Sequence, residues 1–301
     1  MSGASEFKYG RAKLFHADCL AWLKGCAEKS IHAVVTDPPY GIHEYTDEQQ
    51  QKMRAGKGGV WRLPPAYDGH TRSPLPRFTT LTPKDLKHLR EFFNEWAIAL
   101  RPALAPGAHV FMAANPLVST YISMALSDAG LERRGEVVRA VMTMRGGDRP
   151  KNAHEEFSDV SVMPRSQWEP WLLYREPIEC KTVADNLRKY KTGGLRRISD
   201  EQPFGDLIWS HPTRKTEKSI ANHPSLKPQS FMRAIVRASL PLGEGVVLDP
   251  FAGSGSTLAA AEYVGYESIG LERDAEYFAL AQDAIPKLAK LEVKARSAPP
   301  S

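Results

Sequence analysis

An apolar run, Ile31-His32-Ala33-Val34-Val35-Thr36, is stopped dead by Asp37-Pro38-Pro39-Tyr40, and no other stretch constrains the fold as tightly. A β-branched run of that length reads as a buried strand. Pro38 and Pro39 neither continue a ladder nor enter a helix interior, so Asp37 is expected at the strand's C-terminal edge. In open α/β sheets that edge is where ligands bind. It would hold a carboxylate, the rigid carbonyl of Pro38 and the aromatic face of Tyr40 in one crevice. On its own, the tetrapeptide equally suits an ordinary strand-to-loop turn.

A second motif decides between these. Gly245-Val246-Val247-Leu248-Asp249-Pro250-Phe251-Ala252-Gly253-Ser254-Gly255-Ser256-Thr257 reads as a strand, a glycine-rich turn and the start of an alanine-rich helix. Gly253 and Gly255 allow close backbone approach, and the helix N-terminus offers free N–H groups. Ser268 to Glu272 forms a further strand ending in a carboxylate about 20 residues beyond the glycines, where a ribose-binding acid belongs. Leu258 stands where a dinucleotide fingerprint needs its third glycine, which disfavours a nicotinamide cofactor. Asp249 before the turn would repel a pyrophosphate and welcome an ammonium. Two acceptors and a flat ring at the first motif suit an exocyclic amino group: gripping both N–H bonds frees the nitrogen lone pair for methylation.

Taken with His223-Pro224-Ser225-Leu226-Lys227-Pro228, the two motifs resemble the beta-class DNA amino-methyltransferases, which modify N6 of adenine or N4 of cytosine. The likeness runs from Ala12 to about Leu280. It implies a doubly wound, mainly parallel α/β sheet of the Rossmann-like methyltransferase type, circularly permuted, with an inserted target-recognition region. Residues 8–144 would form the catalytic half, 145–219 the last sheet strand plus the recognition region, 220–285 the cofactor half and 286–301 a tail. By the same resemblance Asp37, Pro38, Pro39 and Tyr40 are catalytic. S-adenosylmethionine would be held by Asp18, Cys19, His223, Ser225, Lys227, Asp249, Phe251, Gly253, Ser254, Gly255, Ser256, Thr257 and Glu272. Asp18 would touch the adenine, although it also suits a helix cap, and Lys227 would pair with the cofactor's carboxylate. Aspartate at the head of the first motif leans toward adenine, with N4 methylation of cytosine the runner-up. Members often carry a bulky aromatic where Met144 stands, which leaves this wall of the base pocket open.

Net charge +5 and a pI near 9.0 over 301 residues suit a polyanionic partner, here double-stranded DNA. Residues 41–80 are too long for an ordinary connection and are expected to form a DNA-facing flap, with Arg54, Lys57 and Arg62 on phosphates and Trp61 as a wedge. A basic turn carrying Arg145, Arg149 and Lys151, and a run carrying Arg188, Lys189, Lys191, Arg196 and Arg197, are the other expected DNA contacts, though a charge run also suits a merely solvated face.

The rest of the chain alternates. Lys13 to Ala17 reads as a strand and Leu20 to Lys29 as an amphipathic helix. Thr82-Pro83-Lys84-Asp85 opens a helix that Pro102 and Gly107 would end. His109 to Ala113 and Glu136 to Met144 read as strands with a helix from Pro116 to Gly130 between them, and Glu169 to Arg175 as the last strand. Cys19, Cys26 and Cys180 form neither a disulfide framework nor a zinc motif, and no metal is expected. No apolar stretch approaches the ~20 residues of a membrane span and Met1 to Phe7 lacks a secretory apolar core, so a cytoplasmic protein is expected. A homodimer and a cognate restriction endonuclease are both compatible with the class. A silent DNA-binding protein, a nicotinamide oxidoreductase and an RNA or protein methyltransferase are the competing readings.

Overall fold

The structure is a computed structural model, and it describes residues 5–39, 66–67, 70–71, 82–141, 147, 149–150, 152–223 and 225–293. Tyr40, Arg54, Lys57, Trp61, Arg62, Met144, Arg145, Lys151 and Pro224 lie outside the described residues, as does most of the segment 41–80.

Nine strands form one sheet: β1 (Glu6–Tyr9), β2 (Ala12–His16), β3 (Ile31–Thr36), β6 (Leu104–Ala113), β7 (Glu132–Ala140), β8 (Trp168–Arg175), β9 (Leu207–Trp209), β10 (Val246–Asp249) and β11 (Glu267–Glu272). The short β4 (Ala66–Tyr67) and β5 (His70–Thr71) pair with each other. The order across the large sheet is β1-β2-β11-β10-β3-β6-β8-β7-β9, with only β1 and β8 running against the rest.

Burial on both faces explains the sequence of the central strands. In β3, Ile31 and Val34 face one side while Ala33 and Val35 face the other, and all four are buried. On the first side lie α1 (Cys19–Leu23), α2 (Pro83–Leu100) and α3 (Ser119–Asp128). On the second lie α6 (Gln229–Ser239) and α7 (Ser256–Val264), extended over β2 by α8 (Ala275–Lys290). Two further helices, α4 (Val183–Tyr190) and α5 (Lys215–Ile220), sit in the connections. This is the doubly wound, mainly parallel arrangement that the sequence predicts.

The start of α2 shows how local chemistry sets a boundary. Thr82 accepts from the Asp85 N–H at 3.3 Å while Asp85 accepts from the Thr82 N–H at 2.8 Å, a reciprocal capping box ahead of Pro83. Leu89, Phe93, Trp96, Ala97 and Leu100 then form its buried stripe.

Several elements differ from expectation. The helix expected through Lys29 stops at Leu23, and Lys29 itself adopts φ 55°. The helix before β6 ends at Leu100, and Gly107 lies inside β6 instead of marking a break. Its φ is +87°, and a Cβ there would come within 2.6 Å of Asn186 Nδ2 and 2.9 Å of the Gly193 backbone. Close approach of another segment therefore demands this glycine. β1 and β9 are only four and three residues long and go unannounced in the sequence, and β8 lies inside the sheet between β6 and β7.

Candidate active site

The parallel strands bring three chain ends to one edge. β10 pairs with β3 through Val247–Ala33 and Leu248–Val34, and with β11 through Asp249–Gly270. Asp37, Asp249 and Glu272 therefore finish adjacent strands. Pro38 is buried, Asp37 half-buried and Pro39 exposed.

Asp249 is only 3 % exposed. Its Oδ1 accepts from Thr36 Oγ1 at 2.6 Å and from the Phe251 N–H at 3.2 Å. Burial still dominates and pushes its carboxyl up to about 6. Glu272 accepts from the N–H groups of Gly253 and Asp274, each at 2.8 Å, and burial raises its carboxyl as well. The glycine turn is shaped for close approach. Gly255 has φ +78°, and a Cβ there would lie 2.4 Å from Ile285. His223 packs over Gly253, edge-on to Tyr277 with ring centres 4.5 Å apart, and accepts from the Ser225 N–H at 3.1 Å. Burial lowers its imidazole below the ordinary range. Ser256 Oγ, buried at the start of α7, has no hydrogen-bond partner among the described residues. An orphan hydroxyl, a Cβ-free turn at a helix start and two desolvated carboxylates fit a cationic nucleoside. Ser254 and Thr257 are buried here, Phe251 is half-buried, and Thr257 Oγ1 donates to the Val35 carbonyl at 3.2 Å.

Lys227, which the resemblance assigns to the cofactor's carboxylate, reaches two carboxylates of the chain itself. Its ammonium donates to Asp37 Oδ2 and lies 3.5 Å from Glu169 Oε1. Glu169 also receives Trp171 Nε1 at 3.1 Å and Arg139 Nη1 at 2.9 Å. Arg139 in turn donates to Ser210 Oγ at 3.1 Å and the His211 carbonyl at 3.0 Å, and its guanidinium lies 5.1 Å from the Phe231 ring centre. Sequence reasoning missed Thr36, Arg139 and Glu169. The available signal was charge inside apolar strands: Val137-Val138-Arg139-Ala140 and Trp168-Glu169-Pro170-Trp171.

The other expected residues divide. Asp18 caps α1, accepting from the Ala21 N–H at 2.9 Å, and is exposed. Cys19 is buried and its thiol is pushed up to about 12, chiefly by burial, so it is no nucleophile. Arg149 is exposed in the link between β7 and β8, whose end points Ala140 and Trp168 are at the edge where Asp37 lies.

Arg188, Lys189, Lys191, Arg196 and Arg197 are not brought to that edge. Asn186, within α4, donates to the Pro106 carbonyl at 2.7 Å, and Arg196 donates to Tyr266 at 2.8 Å, which places this run at the starts of the parallel strands. Arg188 pairs with Asp185 at 2.7 Å, Lys189 stands 4.0 Å from Glu179, and Arg197 donates to the Ser199 carbonyl at 3.3 Å. Lys191 closes α4 in the left-handed conformation. The run thus covers the far edge of the sheet and is not a wall of the crevice. Among the described residues no group of three or more His, Cys, Asp or Glu side chains is placed to hold a metal ion. None of the described helices is long and apolar enough to cross a membrane.

Comparison with known proteins follows this geometry. The DNA methylase family of N6 and N4 amino-methyltransferases matches residues 31–283. The Type II methyltransferase M.HindIII of Haemophilus influenzae is 25 % identical over 283 residues, covering 87 % of this chain and 91 % of that protein. The structure of M1.HpyAVI with S-adenosylmethionine superposes with a TM-score of 0.55 at 18 % identity, covering 93 % of this chain and 100 % of that one. The cytosine-N4-specific PvuII DNA methyltransferase gives 0.56 at 13 % identity, covering 93 % and 91 %. With the match spanning most of its length and both motifs at one sheet edge, the chain belongs to the N6/N4 DNA methylases, enzymes that use S-adenosylmethionine to methylate amino groups of DNA bases.

Proposed function

We propose that this enzyme methylates the exocyclic N6 of an adenine turned out of duplex DNA. The observation that carries the reading is the meeting of Asp37 and the buried Pro38 with the glycine turn of Gly253 and Gly255 on neighbouring strands. Asp37 and the Pro38 carbonyl accept the two amino N–H bonds, which orients the nitrogen lone pair toward the cofactor cradle. Tyr40, next in the chain, supplies the flat face against the base. Lys227 holds the Asp37 side chain in place, and Asp249 and Glu272 would bind the cofactor's ammonium and ribose. When bound, S-adenosylmethionine supplies a methyl group on a positively charged sulfur. The nitrogen would take the methyl as the carbon–sulfur bond breaks and its electron pair stays on the now neutral sulfur, and the nitrogen would then shed one proton, with Asp37 as its acceptor. Much of the rate enhancement comes from alignment within the crevice. Aspartate at the head of the first motif favours adenine within the family, and Arg149, exposed in the link after β7, would meet a phosphate of the DNA.

The test is transfer from S-adenosylmethionine carrying a labelled methyl group to mixed-sequence duplex DNA, followed by digestion and identification of the nucleoside. N6-methyladenine is the expected product. N4-methylcytosine would replace adenine by cytosine, the specificity printed for the PvuII enzyme, and unlabelled DNA would overturn the reading.

A further inference from the structure

Four charges interlock beside the crevice in an order that stability alone does not explain. Running from β3 to β7 they are Asp37, Lys227, Glu169 and Arg139, with side chains 13, 12, 17 and 6 % exposed. Replacing buried ion pairs of this kind by apolar side chains is often neutral or stabilising. Their geometry therefore points to a task. Arg139 is anchored three ways, by Ser210, by the His211 carbonyl and over Phe231, so it is the fixed end. Glu169 is clamped between Arg139 and Trp171 Nε1. Lys227 is the adaptable member, a flexible stem with three donors, drawn on one side to Asp37 and on the other to Glu169.

We propose that Glu169 is a positioning residue for the methyl transfer: it acts through Lys227, fixing the ammonium against Asp37 so that this carboxylate is held aimed at the target amino group. The inference rests on the function proposed above. A carboxylate has about four lone-pair sites, so Lys227 does not exhaust the capacity of Asp37 to accept an amino proton. Glu169 touches neither base nor cofactor in this scheme, and the turn at Gly253 and Gly255 is built without it.

The groups facing Lys227 are Asp37 from the end of β3, Glu169 from β8, Arg139 from β7 and His223 from its own loop. Burial pulls the Lys227 ammonium down, but Asp37 and Glu169 together hold it above the ordinary lysine range. Burial raises the Glu169 carboxyl, and Lys227 and Arg139 more than offset it, so it stays ionised. Removing the Glu169 charge leaves Lys227 with one carboxylate and facing Arg139. Its proton then leaves at lower pH.

The experiment compares wild type, Glu169→Gln and Glu169→Asp for kcat against pH, KM for S-adenosylmethionine and thermal melting. Expected for Glu169→Gln is a kcat lower by roughly 10- to 100-fold and an alkaline limb displaced to lower pH. KM for S-adenosylmethionine stays within about twofold, since Glu169 lies outside the cofactor cradle. Glu169→Asp, which keeps the charge, returns the limb to its wild-type position, and this second variant decides the matter if Glu169→Gln does not fold. A purely structural residue would lower the melting temperature and leave the shape of the profile alone. An unmoved limb in Glu169→Gln, or a displaced one in Glu169→Asp, overturns the inference while wild type still methylates DNA. A wild-type protein that methylates no DNA overturns the proposed function, and this inference falls with it.

Discussion

Asp249 is the residue at which binding and stability pull hardest against each other, and we predict that Asp249→Asn makes the protein more stable and less able to bind its cofactor. The two side chains have nearly the same shape, and the amide oxygen can still accept from Thr36 Oγ1 and the Phe251 N–H. What changes is the charge. Burial raises the carboxyl from 3.8 to about 6, with the nearby Asp37 charge a minor contributor in the same direction. A raised carboxyl keeps its proton in the folded protein while the unfolded chain has already released it. Its contribution is therefore complete below 3.8 and is lost as pH rises through about 6. Roughly two pH units correspond to about 3 kcal/mol forfeited at neutral pH. With an unfolding entropy near 2.1 cal/mol/K per residue over the 301-residue chain, that is about 5 °C in Tm. Melting curves of both proteins between pH 4 and 8 should nearly coincide at the acid end and separate by about this amount above pH 7. S-adenosylmethionine should raise the wild-type Tm far more than that of the variant. An Asn variant less stable than wild type by the same margin at every pH would refute the reasoning, since it would mean that the hydrogen bonds and not the charge govern this site.

Asp37→Ala is predicted to lower methyl transfer by at least about 100-fold, while the rise in Tm on adding S-adenosylmethionine stays at the wild-type value. Gly255→Ala combines a positive φ with a Cβ 2.4 Å from Ile285. It should destabilise the protein by about 2 kcal/mol or more and weaken cofactor binding, read by denaturant unfolding and by calorimetric titration. Thr82→Ala removes one half of the capping box and should cost about 1 kcal/mol in urea unfolding, with kcat unaltered.

What was legible in the sequence was local. β3 ends where Pro38 and Pro39 forbid continuation, α2 begins at Thr82 with its Asp85 partner, and the glycines before α7 mark a turn made at positive φ. What was illegible depended on distant pairings. Lys227 meets Asp37 across 190 residues and Glu169 across more than 50, and no spacing rule encodes such a meeting. Gly107 looked like a helix breaker because its reason, the nearby Gly193 backbone, lies far along the chain. The run from Arg188 to Arg197 was misplaced for a topological reason. Whether a basic loop faces the crevice depends on the direction of the strand before it, and periodicity carries no direction.

The direction of β8 has one more effect. Because it runs against its neighbours, the chain leaves the sheet at Ala140 and re-enters it at Trp168 on the same side, above the crevice. Lengthening, shortening or exchanging the link between those two points would leave every strand pairing in place. The register of β7 on β8 fixes where the link begins and ends, so changes between those points are separated from the frame that carries Asp37, Asp249 and Glu272. The reversed strand thereby separates tolerance to change in one connection from the integrity of the sheet, and insertions between Ala140 and Trp168 should be accepted more readily than insertions within β3 or β10.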